Sequence, residues 1–210
     1  MPVSDVVAVI QSWDAHGHAL ITQRFELALA PGLHAALGQT REFYGVLCAL
    51  TVSSAVIGRW RSVPVVTMSA LLAVGLSIAL AWPAGAIVER TPPVALTATP
   101  VPAEWRLVWQ DGSSFPSRHA LAAAALAGTM LLAWPPLGIA GYLLAVAGGL
   151  TAMFFGAAWL SDVVAGLALG TVSAIAARSL SGLLAGLVAR NWRPIAGPQT
   201  PVVRSYSRAS

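Results

Sequence analysis

The chain has 210 residues, of which 57% are hydrophobic and 10% charged, and its mean hydropathy is +0.73. Soluble domains carry about 25% charged residues, so this composition excludes an ordinary water-soluble globule, and its wealth of Ala, Leu and Val excludes a disordered chain. What remains is a polytopic membrane protein with length for about five or six helical spans.

All 12 basic residues are Arg, and the net charge is +4. Most sit singly between apolar runs, without a basic face interleaved with aromatics, so they read as membrane-topology residues and nucleic acid is not an expected partner. A single cysteine, Cys48, excludes a disulfide framework and a Cys-based metal site. The opening MPVSDVVAVIQSWD contains an acid and no basic start, unlike a cleaved signal peptide.

In chain order, residues 1–42 mix apolar positions with Asp5, Asp14, His16, His18, Arg24, Glu26 and His34. They predict one or two amphipathic interfacial segments broken near Pro31-Gly32, or else a soluble cap. A membrane domain over 43–189 follows. Its first span is expected from Phe43 to Gly58, ending at Arg59-Trp60-Arg61, and its second from Val63 to Val88, interrupted late by Trp82-Pro83. A Pro-rich polar stretch, 89–118, carries Trp105 and Trp109 as interface anchors. The third span starts near His119 and stops at Trp134-Pro135-Pro136. A fourth fills Leu137 to Ala158, and a fifth runs from Trp159 to Ala177 with Arg178 as its stop. A weaker apolar stretch, 180–189, precedes a tail, 190–210, expected to be disordered.

Gly166-x-x-x-Gly170 and Gly182-x-x-x-Gly186 are small-residue patterns expected to serve packing within the bundle rather than a dimer contact. With five spans, Arg59, Arg61 and the tail arginines share one side, which positive-inside counting makes cytoplasmic. The 89–118 loop and the 159–162 corner then face outward.

Three polar clusters lie where spans meet that outer face: Glu89-Arg90-Thr91-Pro92-Pro93, Ser113-Ser114-Phe115-Pro116-Ser117-Arg118-His119, and Trp159-Leu160-Ser161-Asp162. Polar groups at such positions are costly and merit attention as sites. Pro116 and Ser117 supply a turn and cap for a helix start. Free N–H groups there, beside Arg118 and His119, suit a phosphate. The plainer reading makes His119 a cap or loop contact, Asp162 an N-cap after Ser161, and Arg90 and Arg118 headgroup-contacting arginines.

At these residues the chain resembles a known family. SFPSRHA is similar to the second motif of the type 2 phosphatidic acid phosphatases (PAP2), and WLSDVVAG to the end of the third. The layout resembles that of bacterial undecaprenyl-diphosphate phosphatases. The resemblance implies an all-α polytopic membrane bundle in a bacterial plasma membrane. It also implies metal-free and cofactor-free cleavage of lipid phosphates through a phosphohistidine. Carried over, Ser117 contacts phosphate, His119 is the general acid and Asp162 orients the nucleophilic His, with Arg90 and Arg118 as further substrate-binding candidates.

The chain departs from that pattern. The nucleophile position, four residues before Asp162, is Ala158, and the third-motif arginine position is Ala152. The first-motif Lys has no counterpart, since the chain contains no Lys, and Arg90 fits only when displaced by a residue or two. Because residues acting as a unit fail as a unit, the expectation is a relative without phosphatase activity. Such a relative binds a membrane lipid, a lipid phosphate or polyprenyl phosphate, or serves as an accessory or scaffold subunit to a membrane-protein partner in envelope lipid metabolism. The alternative is an active lipid-phosphate or polyprenyl-diphosphate phosphatase with a rearranged site.

Overall fold

The structure is a computed structural model that describes residues 3–25, 40–58, 63–93 and 113–191. The expected break at Pro31-Gly32, the anchors Trp105 and Trp109, Arg59 and Arg61, and the tail beyond Asn191 lie outside the described residues. Those described form six helices: α1 (Val3–Phe25), α2 (Thr40–Gly58), α3 (Val63–Val88), α4 (Arg118–Ala133), α5 (Pro135–Phe154) and α6 (Leu160–Asn191). No strand occurs among them. Helices α3, α5 and α6 are long and apolar enough to cross a membrane, while α2 and α4 are shorter apolar helices.

Helix α4 is the axis of the bundle, packed by α6, α5, α3 and α2. Its sequence explains the position. The run RHALAAAALAGTM buries every residue from His119 to Met130 except half-buried Ala122, and alanines let neighbouring backbones approach closely. Large apolar side chains point the other way: Leu71, Ile87 and Leu143 are exposed, and Trp82 is 83% exposed. Small inside and large outside is the arrangement expected where lipid, rather than water, surrounds the bundle.

Hydroxyls within the bundle are satisfied internally, as an apolar surrounding demands. Thr51 and Ser173 donate to carbonyls one turn back, at 2.8 Å each. Ser69 on α3 meets Ser181 on α6 at 2.6 Å, and Tyr142 on α5 meets Thr171 on α6 at 2.8 Å.

Several element ends differ from the expected spans. Helix α3 continues through Pro83. Helix α5 stops at Phe154, four residues early, because Gly156 adopts a left-handed φ of 67° and its N–H bonds the Met153 carbonyl at 2.9 Å; such a residue ends a helix. Helix α6 runs through Arg178 without interruption, so the fifth span and the weaker stretch after it are one helix.

The two glycine pairs separate. A Cβ at Gly166 would lie 2.6 Å from the Ser117 carbonyl oxygen and one at Gly170 2.2 Å from that of Leu121, so this pair seats α6 on α4. A Cβ at Gly182 or Gly186 would meet no atom of the described residues within 4 Å beyond the helix's own backbone. The second pair therefore faces outward, which corrects the expectation of packing inside the bundle.

Candidate functional site

The three polar clusters converge at one end of the bundle. Ser117 caps α4, its Oγ accepting from Ala120 N, and its own N–H donates to the Asp162 carbonyl at 3.0 Å. Thus the expected cap is present, but the Ser117 N–H is spent on α6 rather than turned outward. Ser114 N donates to the Arg90 carbonyl at 2.8 Å, and Arg90 N donates to Ser113 Oγ at 2.9 Å. These ties fix the segment before α4 against the segment after α3.

Arg90 is the hub. One terminal nitrogen donates to Asp162 Oδ1 at 2.8 Å and to Ser161 Oγ, and the other donates to Asp14 Oδ2. Asp14 comes from α1 and is buried. It also accepts from Ser161 N and Ser161 Oγ, both at 2.8 Å. The Arg90 guanidinium lies 5.5 Å over the Trp159 ring, whose Nε1 donates to the Thr91 carbonyl at 2.9 Å. One cation is thus shared by two buried carboxylates, with an aromatic face closing one side.

Asp162 is fully buried, and its second oxygen accepts from Trp159 N at 3.0 Å. With α6 starting at Leu160, Asp162 is the third helical residue reaching back to the cap residue, half of a capping box. It is not itself the N-cap, which corrects the plainer expectation.

Beside this cluster opens a cavity of about 800 Å³, between the end of α3 and the start of α4. Its polar wall includes Glu89, Arg90, Ser113 and Arg118, and its apolar wall includes Ile78 and Trp82. Glu89 has a left-handed φ of 44° and donates its N–H to the Gly85 carbonyl at 3.0 Å, ending α3. Among the described residues no group of three His, Cys, Asp or Glu side chains could hold a metal ion.

The model of the PAP2 superfamily matches residues 66–184, more than half of the chain. The chain belongs to the PAP2 superfamily. In structure it is similar to a transmembrane PAP2-type phosphatidylglycerolphosphate phosphatase from Bacillus subtilis, with a TM-score of 0.56 and 18% identity, over 84% of this chain and 88% of that one. No curated protein matches it in sequence. The all-α transmembrane bundle expected from the sequence is the PAP2 fold, and the protein is an integral membrane protein.

Against the PAP2 motifs, Arg90, Ser117 and Asp162 are brought together, and Arg118 stands on the cavity wall. His119 is buried with its ring 5.4 Å from that of Tyr44 on α2. Ala152 and Ala158 are each 1% exposed and pack in one apolar cluster with Ala120, Met153 and Val163. Sequence reading missed Asp14, because an isolated acid on a helix carries no motif. Its one signal was a carboxylate in a stretch expected to lie at an apolar interface. One turn further along α1 the helix touches the site again, where the His18 ring meets Trp159 edge-on at 5.9 Å.

Proposed function

We propose that this PAP2-superfamily protein binds a lipid phosphate in the cavity beside Arg90 and does not hydrolyse it, acting as a binding or accessory subunit in envelope lipid metabolism. The observation that carries the reading is the engagement of Asp162. In a phosphohistidine mechanism this carboxylate position orients an imidazole; here its oxygens accept from Arg90 and from Trp159 N. Ala158 and Ala152 leave neither a nucleophile nor a third-motif guanidinium, and both are packed in apolar surroundings. Phosphoryl transfer needs an in-line nucleophile and clamped equatorial oxygens, and these two positions supply neither.

The cavity supports retained binding. Polar and charged groups gather at one end, with Ile78 and Trp82 forming an apolar wall, the division an amphiphile with an anionic head requires. Ser117, Arg118 and the Arg90 loop are the proposed substrate-side residues, and His119 and Asp162 are the remnants of catalysis. The proposed setting is a bacterial plasma membrane with this end facing outward and the far end of α6 cytoplasmic.

A second reading, an enzyme with a rearranged site, has one observation in its favour. Helix α1 lies over the 159–162 corner and brings His18 against Trp159, next to the Arg90 cluster. An assay of phosphate release from phosphatidate and undecaprenyl diphosphate, with His18→Ala and His119→Ala beside the native chain, separates the two. The binding reading expects no release from any of them above protein-free vesicles. Release that disappears in either variant overturns it.

A further inference from the structure

The cavity wall carries charge of both signs, and Glu89 and Arg118 stand at opposite kinds of helix pole. Glu89 directly follows the last residue of α3, where carbonyl groups end the helix, and its exposed side chain lines the cavity. Arg118 is the first residue of α4, where N–H groups begin the helix, and it lines the same cavity. Helix ends ordinarily attract the opposite charge, cations at the carbonyl end and anions at the N–H end. Here the α4 pole bears the like-signed Arg118, and the α3 pole bears the like-signed Glu89 beside Arg90, whose guanidinium is already engaged by Asp14 and Asp162. The wall therefore favours a cation at Glu89 and an anion at Arg118, while Ile78, Trp82 and Leu121 supply apolar wall.

We infer that the ligand of this cavity is a zwitterionic lipid headgroup, a phosphate taken at Arg118 and an ammonium taken at Glu89. This rests on the lipid-phosphate reading above and narrows it to phospholipids bearing an amine. A purely anionic head would meet Glu89 as a like charge beside the carbonyl pole of α3, so complementarity, more than total affinity, sets the choice. The apolar wall makes the lipid, rather than its soluble head, the fitting occupant.

Equilibrium titration of the purified full-length chain in detergent tests this with three probes. Dihexanoyl-phosphatidylethanolamine carries both charges, dihexanoyl-phosphatidylmethanol carries only the phosphate, and glycerophosphoethanolamine carries both charges without tails. The native chain is expected to bind the ethanolamine lipid about tenfold more tightly than the methanol lipid, the size of one charge-assisted hydrogen bond. Glu89→Gln removes that preference. Glu89→Gly does the same and suits the left-handed backbone, which guards against a folding artefact. Arg118→Gln weakens both lipids. Equal affinity of the native chain for the two lipids, or a preference that survives in both Glu89 variants, overturns the zwitterion inference and leaves lipid-phosphate binding standing. Failure of both lipids to bind overturns the two readings together. Glycerophosphoethanolamine binding as tightly as the lipid overturns the assignment of a lipid as occupant.

Discussion

Arg90 donates to Asp14 and to Asp162 from its two terminal nitrogens, so a single guanidinium on the segment after α3 ties α1 to the start of α6. Both carboxylates are buried, and no other cation among the described ion pairs serves them. On the proposed reading, Asp162, to which the PAP2 resemblance gives the task of orienting a nucleophile, serves here as a joint in the fold.

Removing the cation from this joint should cost more than removing either acid. Arg90→Gln leaves two carboxylates buried in one cluster, whereas Asp14→Asn leaves the Arg90–Asp162 pair intact. Breaking a buried pair typically costs roughly 3–5 kcal/mol, and Arg90→Gln is expected at that level, with Asp14→Asn below it. Thermal unfolding in detergent measures the order. An Asp14→Asn loss equal to that of Arg90→Gln would contradict a shared-cation joint.

The two glycine pairs give a clean internal comparison. Gly170→Ala drives a methyl toward the Leu121 carbonyl, which is backbone and cannot swing away, so a loss of about 1–3 kcal/mol is expected from overpacking. Gly182→Ala meets open space and should be neutral or raise stability by up to about 1 kcal/mol, through helix propensity. Similar losses at both positions would mean that Gly182 is covered by a partner.

Much of the bundle was legible in sequence because composition sets it. Helix α3 keeps the expected Val63–Val88 bounds and runs through the expected interruption at Trp82-Pro83, since an apolar run in lipid has only one way to satisfy its backbone. The misread boundaries have local causes. Gly156 sits inside an apolar run, so its left-handed turn left no polarity signal, and Arg178 looked like a stop although nothing about arginine ends a helix. For the candidate site, motif spacing singled out Ser117, Arg118, His119 and Asp162, which lie in the clusters that converge at one end of the bundle. The partner of Arg90 on α1 could not be read, because the pairing joins distant parts of the chain and rests on tertiary packing alone.

Docking of α1 should depend on pH through His18. Burial disfavours its charged ring and holds its pKa below the usual value, outweighing the backbone hydrogen bond at Met153, which acts in the opposite sense. A group with a lowered native pKa binds more protons when released, so docking is complete above about pH 6.5, the ordinary imidazole value, and weakens as the pH falls below it. Hydrogen exchange of α1 at about pH 7.5 and about pH 5.5, on either side of that value, reads this directly. A smaller protection factor for α1 at the lower pH, each observed rate being divided into the intrinsic amide rate at its own pH, is expected and is abolished in His18→Phe; an unchanged protection factor would contradict it.

Restoring the missing imidazole should not restore chemistry. Ala158 is packed beside Ala152, Met153 and Val163, so Ala158→His is expected to lose about 1–3 kcal/mol by overpacking and to gain no turnover while Asp162 remains bound to Arg90. Unfolding temperature and phosphate release, taken on the same sample, check both halves.

If this end of the bundle binds lipid phosphate without cleaving it, the most direct test is phosphate release from phosphatidate by the purified chain, measured beside a sample in which bound lipid is quantified. Bound lipid and no release above protein-free vesicles are expected. Sustained release that vanishes in His119→Ala would contradict the claim.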